Sequence, residues 1–249
     1  MFGKLLSGIA ALSLFLSLGL SNLHAQTVVV PNANEFVEGN SNNGFPFSAG
    51  TPIRYQQVYE STQFPECGNI VQINFRYDES SSGGSETYPD ILIRLSITNV
   101  TPATLSTTFA DNIGTGEATV YEGELSFSAP DCDTDPCPFD NTITLQTPYR
   151  YNPNNGNLLL DVTNPAISIY EQFDSVDVEG TTVVQRVWNA GDAAADSGII
   201  DGDDGLVTQF VCVPVVSNIP TLSEWGLIAM AGLMGIIGFI VMRRGKVAA

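Results

Sequence analysis

Between residues 50 and 213 apolar and polar side chains alternate in short runs. Val71, Ile73, Phe75 and Tyr77 share one parity while Gln72, Asn74 and Arg76 share the other, a period of two that predicts a strand. Ile91, Ile93, Leu95 and Ile97 repeat the pattern, and shorter versions occur at 55–59, 125–127, 143–145, 158–162, 184–188 and 206–210. Turn-rich stretches separate them, notably 80–85, 152–156 and 201–205. No stretch of ten residues away from the two ends has a helical period. Eight or more strands with one buried face predict an all-β domain of two stacked antiparallel sheets, a jelly-roll-like β-sandwich whose strand order the sequence leaves open.

The ends follow different rules. Residues 1–25 carry one positive charge at Lys4, an apolar core from Leu5 to Leu20 and a small residue, Ala25, before an abrupt polar shift at Gln26. That order predicts a secretory signal peptide cleaved after Ala25. At the other end, residues 226–242 are 17 residues without a charge, followed by Arg243, Arg244 and Lys246. At 1.5 Å per residue such a helix spans about 25 Å, the low end of a bilayer core. Gly232, Gly235 and Gly238 are tolerated because lipid offers the backbone no competing partner. They either seat a second helix or reflect the ordinary abundance of small residues in membrane helices. The basic cluster stays inside by the positive-inside bias, which puts residues 26–218 outside the cytoplasm as one exported domain.

Just ahead of the helix stand Ile219, Pro220, Thr221, Leu222, Trp225 and Gly226. This motif, then the apolar helix, then the basic stop, resembles the IPTL-CTERM sorting signals of Gram-negative bacteria, relatives of the PEP-CTERM signals. The resemblance covers residues 219–246. It implies an exosortase-like membrane protease as partner, retention in the inner membrane, cleavage near the motif, and transfer of the exported part to the surface or matrix. The residue types suit that task. Pro220 keeps the preceding chain extended, the form a protease grips. Trp225 sets the depth of the motif at the interface, and Thr221 with Glu224 fits a capping box for the helix. Parts of the β-rich region, residues 54–59, 105–109 and 151–162, more loosely resemble a module of other exosortase-sorted proteins, one that brings no known activity.

Cysteines and charge narrow the chemistry. Cys67, Cys132, Cys137 and Cys212 all lie in the exported part, so an even count in an oxidising compartment predicts two disulfides. Cys132 with Cys137 and Cys67 with Cys212 is the favoured connectivity of three. The mature chain offers no histidine to complete a zinc site. Residues 26–218 hold 26 acidic residues against five arginines, a net charge of about −21 that makes nucleic acid a poor partner. Either this is a solvated acidic surface or divalent cations relieve it. Asp131, Asp133 and Asp135 alternate as calcium ligands do, but Pro136 stands where the loop needs glycine, which excludes an EF-hand. Asp201, Asp203 and Asp204, between Gly202 and Gly205, form an oxygen-rich loop that reads first as a turn and second as a site for Ca²⁺. No other cofactor is expected.

The only histidine, His24, leaves with the signal peptide, and the only lysines are Lys4 and Lys246. Ser-His-Asp, Cys-His and Schiff-base chemistry are thereby excluded from the exported domain. Carboxylate chemistry survives, and Glu122 with Glu124 would face one side of a strand as a glycosidase pair does, although they read first as solvent-facing acids of an exposed strand. The leading expectation is a non-enzymatic surface or matrix protein. A second is a carbohydrate-binding module, for matrix polysaccharide, using Tyr55, Tyr59, Tyr149 and Tyr151 as stacking faces.

Overall fold

The computed structural model describes residues 25–65, 67–79, 81–168, 171–177, 183–202, 204–214 and 222–245. Of the expected signal peptide, only Ala25 falls among them. Contacts divide the chain into two compact units, one of them residues 24–215.

Among the described residues that unit holds twelve strands in three antiparallel sheets. The first sheet runs β1 (Gln26–Val30), β12 (Thr208–Val213), β4 (Gly68–Phe75) and β7 (Asn141–Tyr151). The second runs β10 (Val184–Ala190), β3 (Ile53–Tyr59), β8 (Asn157–Asn164), β5 (Gly84–Thr98) and β6 (Thr115–Ala129). A small third sheet orders β11 (Asp204–Leu206), β9 (Phe173–Asp177) and β2 (Ser41–Asn43). Setting aside β10 and the small sheet, eight strands remain. They pair first with last and inward from there: β1 with β12, β3 with β8, β4 with β7, β5 with β6. Successive pairs alternate between the two sheets, which is the winding of a jelly roll.

The inner faces meet in one core. Phe47, fully buried, is its aromatic hub, with ring centroids 5.2 Å from Phe75, 4.9 Å from Phe127 and 5.5 Å from Phe173. Tyr59 joins the sheets directly, its ring edge-on to Phe210 at 5.0 Å and its hydroxyl 2.9 Å from Thr208 Oγ1. Edge-on rings are favoured because the positive rim of one meets the negative face of the other.

The second sheet departs from the expected single buried face. A second cluster of Val58, Leu105, Phe109, Leu159, Val187 and Ala195 packs on its outer side. The loop that carries α1 (Phe109–Asn112) and the segment around Ala195 cover it. Strands β3 and β8 are therefore buried on both faces, which explains the unbroken run Leu158, Leu159, Leu160. Polar residues caught under this cover are paired. Gln56 Nε2 donates to Asp161 Oδ2 at 2.8 Å, Asn112 Nδ2 donates to Gln56 Oε1 at 3.0 Å, and Arg54 Nη2 lies 3.1 Å from Asp161 Oδ2.

The single strand expected at 206–210 is two. At Val207 the chain leaves the small sheet for the first one, its N–H donating to the Asp174 carbonyl at 3.0 Å. Both disulfides are present, Cys67–Cys212 across 145 residues and Cys132–Cys137 across 5. The long one ties the last strand of the domain to the entry of β4.

Candidate functional site

The tail is one helix, α2 (Leu222–Gly245). Its stretch Trp225–Arg243 is long and apolar enough to cross a bilayer. The apolar residues surround the axis rather than forming a stripe, as lipid on every side requires. At Gly226, Gly232, Gly235 and Gly238 an added Cβ would meet nothing within 4 Å. Trp225 stands at the start of the span and Arg243 at its end, both exposed. The helix begins at Leu222, directly after Thr221. Ile219, Pro220 and Thr221 of the motif, and Lys246 of the basic stop, lie outside the described residues, as do the side chains of Leu222 and Arg244.

The acidic groups of the exported domain are sorted differently from their spacing. Asp133 and Asp135 sit in the loop closed by Cys132–Cys137 and Asp131 just before it, all exposed. Only Asp135 joins a cluster, and its companions come from elsewhere: Glu38 and Glu79, with carboxylate oxygens of all three within 4.8 Å of one another. Glu38 also accepts the Glu79 N–H at 2.6 Å. Burial, with the charges of Asp174, Asp78 and Glu79 adding to it against that hydrogen bond, pushes the Glu38 carboxyl up to about 7. A carboxyl so raised holds its proton more readily than a free one, and no sequence spacing announced it.

Beneath it lies a buried ion pair that periodicity also missed. Asp174 Oδ2 accepts from Arg76 Nε at 2.7 Å, and the Gly39 N–H donates to Asp174 Oδ1 at 2.7 Å. Arg76 Nη2 further donates to the carbonyls of Asn34 and Val37 at 2.9 and 2.8 Å. Burial raises the Asp174 carboxyl above its usual range despite the guanidinium that lowers it. The one signal was Arg76 itself, a charge at a strand end beside Phe75 and Tyr77.

In the loop at 201–205, Asp201 is committed. Its Oδ1 accepts from Trp188 Nε1 at 2.8 Å and lies 3.8 Å from Arg186 Nη2. The Gly202 carbonyl accepts from Gln185 Nε2 at 2.8 Å, and Gly202 takes a left-handed φ of 59°. These contacts make a turn bolted to β10. Asp203 lies outside the described residues, as does the side chain of Asp204, whose backbone forms β11.

Two readings lose their residues. Tyr55, Tyr59, Tyr149 and Tyr151 are core side chains, at most 5% exposed, so none offers a face to a sugar. Burial pushes the Tyr149 hydroxyl up to about 12 and that of Tyr151 higher still. Glu122 and Glu124 are exposed on β6, and the Gln146 side chain clasps the Glu122 backbone through both its N–H and its carbonyl, at 3.1 and 2.9 Å. A cleft of about 370 Å³ is lined by Gln26, Cys67, Arg150, Tyr151 and Pro214 among others. A second, of about 330 Å³, runs beside β1 and holds Glu35. Neither brings two carboxylates together.

Residues 219–244 match the family model of the IPTL-CTERM motif. No curated protein and no solved structure matches this chain. The C-terminus therefore carries an IPTL-CTERM sorting signal, and that signal with its apolar helix fits an exported, membrane-anchored protein.

Proposed function

We propose that this is a non-enzymatic surface or extracellular-matrix protein of a Gram-negative bacterium. The tail holds it in the inner membrane with the jelly roll in the periplasm, until an exosortase-like enzyme cuts near the motif and releases the domain outward. The observation that carries this reading is the order at the C-terminus: the motif match at 219–244 overlaps the span Trp225–Arg243, which is apolar all round and closes on a basic residue. The span is apolar on every side and exposed from Trp225 to Met242, the character a bilayer-crossing helix needs.

The character of the exported part agrees. Three of its five arginines, Arg54, Arg76 and Arg186, are paired with aspartates, its net charge is strongly acidic, and two disulfides brace it for an oxidising compartment. The test replaces Trp225 or Pro220 by Ala in the native host and follows gel mobility and cell fractionation. Loss of the shorter mature form, with accumulation of the full chain in the inner membrane, is expected. Unchanged processing and location would overturn the proposal.

A further inference from the structure

Strand β1 is an edge strand, paired with β12 alone, from Gln26 opposite Cys212 to Val30 opposite Thr208. Gln26 and Thr27 are exposed, whereas Val28, Val29 and Val30 are buried in the core. Ala25, just before the strand, is exposed and outside the sheet. The bond from Ala25 to Gln26 therefore lies clear of the fold, where the expected removal of the signal peptide needs it. The first residue such a cut would leave is also the first residue of the first sheet.

That residue is a glutamine with nothing holding its side chain. The carboxamides of Gln56, Gln57, Gln72, Gln146 and Gln185 are each fixed by a hydrogen bond. The Gln26 carboxamide has no such bond among the described residues. It stands on the wall of the larger cleft, whose one charged lining residue is Arg150.

We propose that Gln26, once the signal peptide is cut away, cyclises to pyroglutamate, and that this cap protects the edge strand. The proposal rests on export with cleavage after Ala25. The new α-amine attacks its own side-chain Cδ: a bond forms from the amine nitrogen to Cδ, the bond from Cδ to the carboxamide nitrogen breaks, and ammonia leaves with the proton that the amine gives up. No oxidant, reductant or second substrate enters. Amine and carbonyl belong to one residue, so the five-membered ring closes without the entropy cost of bringing two reactants together. An exposed, unbonded side chain is free to take the rotamer that this attack requires.

The sheet accommodates the ring. The Val29 carbonyl is turned away from β12, toward Asn32 Nδ2 at 2.7 Å, so by alternation the Gln26 nitrogen faces Cys212. Cyclisation disturbs at most that one ladder bond, at the first position of a strand, where sheets also accept proline. Two things are gained. The terminal positive charge disappears from a cleft that already holds Arg150. Aminopeptidases, moreover, lose the free amine they grip. Trimming past Gln26 and Thr27 would otherwise remove Val28, Val29 and Val30 from the core and uncover β12, whose Phe210 packs on Tyr59.

The composition of the domain gives a clean test, because residues 26–218 contain no lysine and the α-amine is the only amine they can offer. The mature protein is isolated from its native host, its amines are labelled with an isotopic reagent before digestion, and the N-terminal peptide is read by mass spectrometry. A peptide that begins at Gln26, carries no label and is lighter by one ammonia is expected. The Gln26→Asn chain, one methylene too short for this ring, should take up the label. Added aminopeptidase should then lower the melting temperature of Gln26→Asn and leave that of the native protein unchanged. A native peptide that begins at residue 26 and is labelled overturns cyclisation while leaving export intact. A peptide that begins elsewhere overturns the cleavage after Ala25 and cyclisation with it. Equal resistance of the two chains to aminopeptidase overturns the protective role.

Discussion

Asp174 receives the Arg76 guanidinium at 2.6 Å with both side chains essentially out of water, at 0% and 1% exposure. The pair also organises its neighbours, since Arg76 holds the 34–37 loop and Asp174 takes the Gly39 N–H. Removing one partner leaves a buried charge uncompensated, which typically costs about 3–5 kcal/mol, whereas replacing both by apolar residues of similar size is often close to neutral. Asp174→Ala should therefore lower the urea midpoint sharply. Arg76→Met combined with Asp174→Leu should recover most of the loss but leave the 34–37 loop open to protease. If the double variant is no better than the single one, the pair acts through its backbone contacts alone.

Glu38 makes stability depend on pH in an unusual direction. Its carboxyl is raised from an ordinary 4.5 to about 7 in the folded state, chiefly by burial, among Asp174, Asp78 and Glu79. An acid whose folded value is raised contributes stability that is fully present below the unfolded value and lost as pH climbs through the folded one. The domain should thus melt at a higher temperature at pH 5.5 than at pH 8, the fall running from about 4.5 and levelling off above about 7. Burial raises Asp174 too, so it acts in the same direction. In Glu38→Gln the slope across this window should shrink. A native melting temperature that rises from pH 5.5 to 8 would show that the cluster is ionised and otherwise satisfied.

The two disulfides should differ in weight because they close loops of such different length. In the chain-entropy account a bridge across 145 residues restricts the unfolded chain by about 5 kcal/mol, and one across 5 residues by about 2 kcal/mol. Cys67 and Cys212 are also both nearly inaccessible, while Cys132 lies in the exposed loop at 131–137. Graded reduction followed by alkylation and mass spectrometry should release Cys132 and Cys137 first with little change in the fold. Replacing Cys67 and Cys212 by Ala should cost most of the stability, read as a lower denaturation midpoint.

What the alternating pattern could and could not reveal follows from where the burial comes from. The run 91–95 is readable because Ile91, Ile93 and Leu95 are buried between half-buried neighbours; in 71–77 the period marks a strand but not its faces, since Asn74 and Arg76 are buried too and a bulge between Ile70 and Gln72 leaves Val71 half-buried. Strand β8 was found from its apolar run, but its partners on the outer face were not, because the cover from Leu105, Phe109 and Ala195 is a tertiary event. Strands β1, β2 and β9 gave no signal: three valines, a polar triplet and the mixed Phe173-Asp174-Ser175-Val176-Asp177 have no period of two to detect. The tail was the reverse case. Its helix answers to lipid rather than to the fold, so its chemistry is written locally in residues 219–246. The cluster of Glu38, Glu79 and Asp135 joins three separate loops, and spacing along the chain carries no trace of it.

The membrane helix allows a test that depends on depth rather than on mere hydrophobicity. Met234 lies at the middle of the span Trp225–Arg243, and Met242 lies one residue from its basic end; both are exposed on the helix. An arginine at the centre of a spanning helix costs about 2.5–3.5 kcal/mol on insertion scales, a shift on the order of a hundredfold in the equilibrium. At the end the long side chain reaches the interface and costs little. Met234→Arg should therefore move much of the chain out of the alkali-resistant membrane fraction, while Met242→Arg should leave it in place. A helix that merely lies along the membrane surface would rotate either arginine toward water and treat the two variants alike. Equal partitioning of both would accordingly remove the transmembrane anchor, and with it the reason for a sorting enzyme to find its motif at a fixed depth beside Trp225.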